Sequence, residues 1–308
     1  MAEPLLDLFR TCGQLVVARR LEILAEMSAL LHRYDILFNI DATRFASDRL
    51  YTALVLHIQE RVGTLMGDVV AGTSDLPFLA AAVERMTACL TGGGLARINN
   101  NDPPVRVIDA GALQRSLCGE DLEAGEQAGS SLLEPEVFGA IRDTGFSGAL
   151  RCGTGLIVLN AEVAEGDVVR NHSDSYHLFT IFTDHVCGAP MKTAEAIIHE
   201  NAHNVLNLFL EAHQIRLATD HFCYYSPWTA SQRHDRGIVH GFFAFSTVLT
   251  FYRRLGRLEH HEAIQRYAAV QAEKLASVEG DLRRILPAYP PLLADILMHA
   301  YAETRADL

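Results

Sequence analysis

Several features that would place a chain in a large functional class are scarce here. Cys12, Cys89, Cys118, Cys152, Cys187 and Cys223 stand singly, with no CxxC pair, so neither a cysteine zinc site nor a disulfide framework is expected. Positive charge is outweighed: 26 Lys and Arg face 38 Asp and Glu, a formal net charge of −12. No basic cluster offers a footprint for nucleic acid. The opening "MAEPLLDLFR" lacks the basic and apolar regions of a secretory signal. Free thiols and no leader together predict a cytoplasmic protein. No apolar run reaches the roughly 20 residues of a membrane span. The best, "GIVHGFFAFSTVLTFY" at 237–252, is interrupted by His240 and reads as a buried helix.

What is present is enough for a large core: 308 residues, 49% of them hydrophobic, in one large domain or two modest ones. Apolar residues recur at three and four positions over 14–34, 49–70 and 79–90, the spacing of amphipathic helices. "TGGGLARINNNDPP" at 91–104 breaks this pattern. It divides a helical region, 1–95, from a second region, 96–308, unless the two are continuous. "VRVIDAG" (105–111), "ALRCGTGLIVLN" (149–160) and "YHLFTIFT" (176–183) read as strands. Helical periodicity returns over 193–213, 237–256, 258–286 and 291–305. The expected fold is α+β and predominantly helical, with the helix at 193–213 packed among further helices and a small sheet.

That helix carries "IIHENAHNVLNLFL", residues 197–210. A period of 3.6 residues sets His199 and His203 one turn apart on one face, where both imidazoles can meet one ion. This is the mechanical content of HExxH, and neutral imidazole suits zinc and iron(II) alike. A third ligand must come from elsewhere. The same winding puts His199, His203, Asn207, Glu200, Asn204 and Glu211 on a polar arc opposite Ile198, Ala202, Val205 and Phe209. An ordinary surface helix has that pattern too, so spacing alone leaves both readings open.

If a metal binds, a zinc peptidase is the default, with Glu200 as catalytic base. Two peptidase layouts fit poorly. The metzincin extension wants Gly and His where Leu206 and Phe209 stand, and the nearest acidic candidate for a glutamate-ligand layout, Asp220, falls in an expected loop.

Downstream lies "YYSPWTASQRHDRGIVHGFFAFS", 224–246. HExxH followed by SPW, an arginine, a glycine and a His-Gly pair resembles the HExxH-motif peptide-modification proteins, the 2-oxoglutarate-dependent β-hydroxylases of ribosomally made peptides. The matching residues are His199, Glu200, His203, Ser226, Pro227, Trp228, Arg233, Arg236, Gly237, His240 and Gly241, all within 195–250. Members of that family often carry an arginine after SPW and prolines flanking the next arginine; Thr229, Gln232 and His234 stand there instead.

The resemblance implies Fe(II), 2-oxoglutarate and O2, with a precursor peptide or a carrier-bound amino acid as substrate. It sets no oligomeric state. His240 is the candidate third ligand beside His199 and His203. Arg233 or Arg236 is the candidate for the keto acid's distal carboxylate, since a guanidinium fork suits a bidentate contact. Arg233 matches the family position more closely. Trp228 walls the pocket or anchors the core. In the oxygenase Glu200 orients a neighbouring group; in the peptidase its loss stops catalysis. A third reading is a metal-free relative that binds a peptide or partner.

Other features are set aside. His213, His221 and His234 read as fillers, Glu211 lies too far along the helix, and "EHHEA" at 259–263 spreads its histidines around a helix. "GGG" at 92–94 reads as a cap and linker, and "RNHSDSYH" at 170–177 as a plain loop rather than a substrate mouth.

Overall fold

The computed structural model describes residues 3–91, 105–118, 133–164, 169–259 and 262–306. Four helices come first: α1 (Glu3–His32), α2 (Ala42–Ser47), α3 (Arg49–Val70) and α4 (Leu76–Thr91). Then follow β1 (Arg106–Asp109), α5 (Ala110–Cys118), α6 (Pro135–Asp143), α7 (Ser147–Gly153), β2 (Leu156–Val163), β3 (Asn171–His172) and β4 (Thr180–Val186). The remainder is α8 (Pro190–Ala212), β5 (Tyr224–Ser226), β6 (Ser231–Arg233), α9 (Asp235–Glu259), α10 (Glu262–Ile285) and α11 (Pro291–Ala306). The fold is thus α+β and mostly helical. Among the described residues, no helix is long and apolar enough to cross a membrane.

The sheet runs in the order β1-β2-β4-β3, parallel across β1, β2 and β4 and antiparallel at β3. Leu156, Ile157 and Val158 of β2 pair with Thr180, Ile181 and Phe182 of β4. Most of these residues are buried on both sides, as a parallel pair covered by helices requires.

Three expected strands end differently. Of 149–160, only the part from Leu156 is strand, because "SGALRCG" winds into α7; a short apolar run does not separate helix from strand by period. Strand 105–111 stops at Asp109, whose Oδ1 accepts the Ala112 N–H at 3.1 Å and so begins α5. Strand 176–183 starts only at Thr180, after Phe179 takes a left-handed φ of 65°. The linker at 91–104 lies outside the described residues apart from Thr91. One apolar cluster includes Phe9 and Val55 as well as Phe209 and Leu297, so helices before and after that linker share a core.

α8 leaves β4 through Gly188, whose φ of 71° is open to glycine, and begins at Pro190. It packs against α1, α6, α7, α9 and β4. Its polar arc is therefore buried, not solvated. Asn201 donates to the Ala149 carbonyl (3.1 Å) and accepts from Thr154 Oγ1 (2.8 Å), and Asn204 donates to the Thr180 carbonyl (2.9 Å). These bonds offset much of the cost of burying the amides, with Asn204 Oδ1 left without a partner. The asparagines lock α8 to α7 and β4, fixing the rotation at which His199 and His203 face α9.

Candidate metal centre

Two packed helices build the site. On α8, His203 Nε2 lies 3.0 Å from His199 Nε2. From α9, His240 brings its Nδ1 to 3.3 Å from His203 Nδ1. His199, Glu200 and His203 each offer one donor atom within 4.8 Å of the others. His240 stands one step outside that group, on the second nitrogen of His203. Its own Nε2 is buried without a hydrogen-bond partner.

Burial keeps all three rings neutral. It holds His199 near 4 and His240 near 3, with the Arg236 and His234 charges adding to the effect at His240. His203 falls well below the usual range through burial, its two neighbouring histidines and Arg236. Neutral imidazole is the form that ligates a metal. His199, Glu200 and His203 are the donor group that could hold a zinc- or iron-class ion; His240 lies against the other nitrogen of His203, so its ring has to turn to reach the same ion. The His199 side chain keeps 18% exposure, so the cluster is not sealed.

Glu200 is buried, with Oε1 4.0 Å from His199 Nε2. Ser173 Oγ donates to its Oε2 at 2.8 Å. Burial pushes the carboxyl up to about 7 against the downward pull of that hydrogen bond, so Glu200 can hold or release a proton near neutrality.

The two arginines part company. Arg233 Nε donates to Thr229 Oγ1 at 3.2 Å, and its stem lies 3.2 Å from where a Cβ on Gly237 would stand. Arg236 is the one whose charge registers on both His203 and His240. Its N–H is anchored on the Ala218 carbonyl at 3.2 Å. Trp228 does not touch the histidines through any ring contact; it stacks on Phe245 (4.6 Å, 2°), which meets His199 edge-on at 4.8 Å. Gln271 accepts from Trp228 Nε1 at 3.0 Å, and a Cβ on Gly241 would sit 3.4 Å from the indole. Trp228 thus supports the site through one intervening ring.

No family model matches this chain, and no curated protein does either.

Several contributing residues escape sequence reasoning. Ser173 lies in the segment read as a plain loop, and its partner is 27 positions away. Glu195, one turn before His199, accepts from Tyr252 (2.7 Å) and from Tyr267, tying α8 to α9 and α10. A buried carboxylate among aromatics has no fixed spacing to betray it. Phe245 was legible only as part of an apolar run. The histidines set aside have other engagements. His213 Nε2 lies 3.8 Å from Cys12 Sγ, His234 Nδ1 accepts the Gly237 N–H at 3.0 Å, and His221 stands exposed 3.4 Å from Asp220. Glu211 is held by Arg20 at 2.9 Å. The triplet "GGG" and His260 and His261 of "EHHEA" lie outside the described residues.

The depressed histidines set an acid limit. A ring whose folded pKa lies below its ordinary 6.5 contributes stability that is complete above 6.5 and lost as pH falls toward the folded value. Four such rings, His57 included, outweigh the opposing carboxyl of Glu200, so stability falls steeply once the unfolded chain protonates. Metal-free protein should lose its helical circular dichroism cooperatively at about pH 5, within the range of stability that a domain can forfeit. Full helicity retained at about pH 4 would show that the rings charge without unfolding.

Proposed function

We propose that this chain is an iron(II)- and 2-oxoglutarate-dependent oxygenase that hydroxylates an unactivated carbon, β to a backbone carbonyl, in a ribosomally made peptide. The observation that carries the reading is the pairing of His199 and His203 on α8, with His240 of α9 against the second nitrogen of His203 and the charge of Arg236 close by. The spacing of HExxH, SPW, arginine and His-Gly supports it from the sequence side.

His199 and His203 are the residues that would hold the ion, and His240 is the third. Bound iron with the keto acid would supply the oxidising equivalent that the hydroxylation needs. The protein's own work is orientation and exclusion. Phe245, backed by Trp228, fixes the ring plane of His199. Phe242 and Phe243, fully buried, hold the turn of α9 that carries His240. Arg236 grips the distal carboxylate of 2-oxoglutarate, where a planar fork is worth more than a point charge. Glu200, which accepts from Ser173, fixes the segment before β4 against the HExxH helix.

The zinc-peptidase reading draws on that same Glu200, since a carboxyl near 7 beside a histidine pair also serves as a base. The test is succinate formation in air by iron-reconstituted protein given 2-oxoglutarate and candidate precursor peptides. The oxygenase forms succinate, and Arg236→Ala raises the KM for 2-oxoglutarate at least about tenfold, the cost of losing a charged hydrogen-bonded pair. Peptide cleavage by the zinc form without any succinate would favour the hydrolase. Negligible iron and zinc in both wild type and His199→Ala would favour a metal-free binding protein.

A further inference from the structure

A second cluster of ligating side chains lies apart from the HExxH histidines. His57 and Glu60 stand one turn apart on α3, and His177 approaches them from the segment between β3 and β4. One donor atom from each lies within 4.8 Å of the other two. Together they line a cavity of about 340 Å³, with Gln114, Asn160 and Phe182 on its other walls. None of His199, Glu200, His203 and His240 lines it.

We infer that His57, Glu60 and His177 form a second site for a divalent transition-metal ion of the zinc class, clasping the segment before β4 to α3. Two imidazoles and one carboxylate are a recognised ligand set for such an ion, leaving a position open toward the cavity. Tetrahedral zinc holds neighbouring donor atoms roughly 3.3 Å apart, so the stacked rings of His57 and His177 have to turn from their present planes to share an ion.

The surroundings of each ligand support this use. Asp174 Oδ2 lies 2.9 Å from His177 Nδ1, which fixes that ring and presents Nε2 outward, toward Glu60. A carboxylate behind a histidine is how metal-ligating imidazoles are oriented and made more basic. His57 is buried, stacked on His177 with centroids 4.3 Å apart, and Thr180 Oγ1 lies 3.2 Å from its Nε2. Two carboxylates therefore converge on one imidazole, beside a second imidazole excluded from water. Glu60 is 57% exposed, so it is free to close on an ion entering from the cavity.

The clasp has a place in the architecture. Asp174 and His177 follow directly on Ser173, whose hydroxyl bonds Glu200. An ion drawing His177 toward α3 would fix the segment that presents Ser173 to the HExxH helix. The second site does not depend on the chemistry proposed for the first.

Zinc dialysis followed by elemental analysis tests the inference, with wild type, Glu60→Gln, His203→Ala and the double variant compared. Glu60 is a surface side chain, so Glu60→Gln should keep the wild-type circular dichroism; His57→Asn serves as a second probe. The expected result is one equivalent of zinc fewer in Glu60→Gln than in wild type, and one fewer again in the double variant than in His203→Ala. Equal zinc in His203→Ala and the double variant would overturn the inference and leave the cluster a hydrogen-bonded relay. If wild type holds one equivalent, lost in Glu60→Gln but kept in His203→Ala, the clasp stands and the HExxH metal centre falls.

Discussion

His203→Ala should strip the metal from the HExxH centre and abolish turnover. His203 is the one ring that touches both others, His199 at 3.0 Å and His240 at 3.3 Å. Its removal leaves two imidazoles that no longer share a neighbour. Loss of a group that merely orients a ligand costs about 10–100-fold in metal affinity, and loss of the ligand itself should exceed this. The substitution also leaves a cavity among buried groups, which costs roughly 1–3 kcal/mol of stability. His203→Asn, closer in volume, separates the two effects. Iron bound per chain, measured after gel filtration, should fall at least about 100-fold in affinity for both variants. Unchanged iron binding in His203→Asn would mean that the histidines are only a packed polar cluster.

Glu200→Gln should raise the stability of the metal-free protein above neutrality and leave it unchanged in acid. The carboxyl is held up to about 7 in the fold against an ordinary 4.5. A group with a raised folded pKa contributes stability that is complete below 4.5 and lost as pH rises through 7. Ionising Glu200 in place therefore costs on the order of 3 kcal/mol at pH 8. The amide, neutral throughout, escapes that loss and should melt roughly 5 °C higher at pH 8. The gain should shrink toward pH 5 and vanish below 4.5, where the folded and the unfolded wild type both keep the proton. The same variant divides the two chemistries: an oxygenase continues to consume 2-oxoglutarate, whereas a hydrolase loses its base. A thermal profile parallel to wild type from pH 5 to 8 would remove Glu200 as the proton-holding group.

Local pattern found the helices and little of what aims them. The helix expected at 193–213 is Pro190–Ala212, and that at 49–70 is Arg49–Val70, because each carries long apolar periodicity. His199 and His203 share a face by that period alone. The polar arc of the same helix was ambiguous, and the structure buries it. Its partners Ala149 and Thr180 lie 52 and 24 positions away, distances over which no period carries information. The arginines show the same limit. The sequence resemblance favours Arg233, yet the charge that bears on His203 and His240 is that of Arg236. The turn from β6 into α9 decides that difference. His57 and His177 stack across 120 positions of chain, which is why the second cluster left no motif. The run 149–160 reads as strand, but its first residues belong to "SGALRCG", which packs on α8 as the helix α7.

The central claim is that an iron held by the HExxH histidines and His240 binds a keto acid whose far end rests on Arg236. Titrating the iron-loaded protein with 2-oxoglutarate under anaerobic conditions, by visible absorption, tests this without a peptide substrate. The account predicts a saturable charge-transfer band, absent in His199→Ala and requiring about tenfold more keto acid in Arg236→Ala. Iron that binds with no band at any 2-oxoglutarate concentration would contradict it.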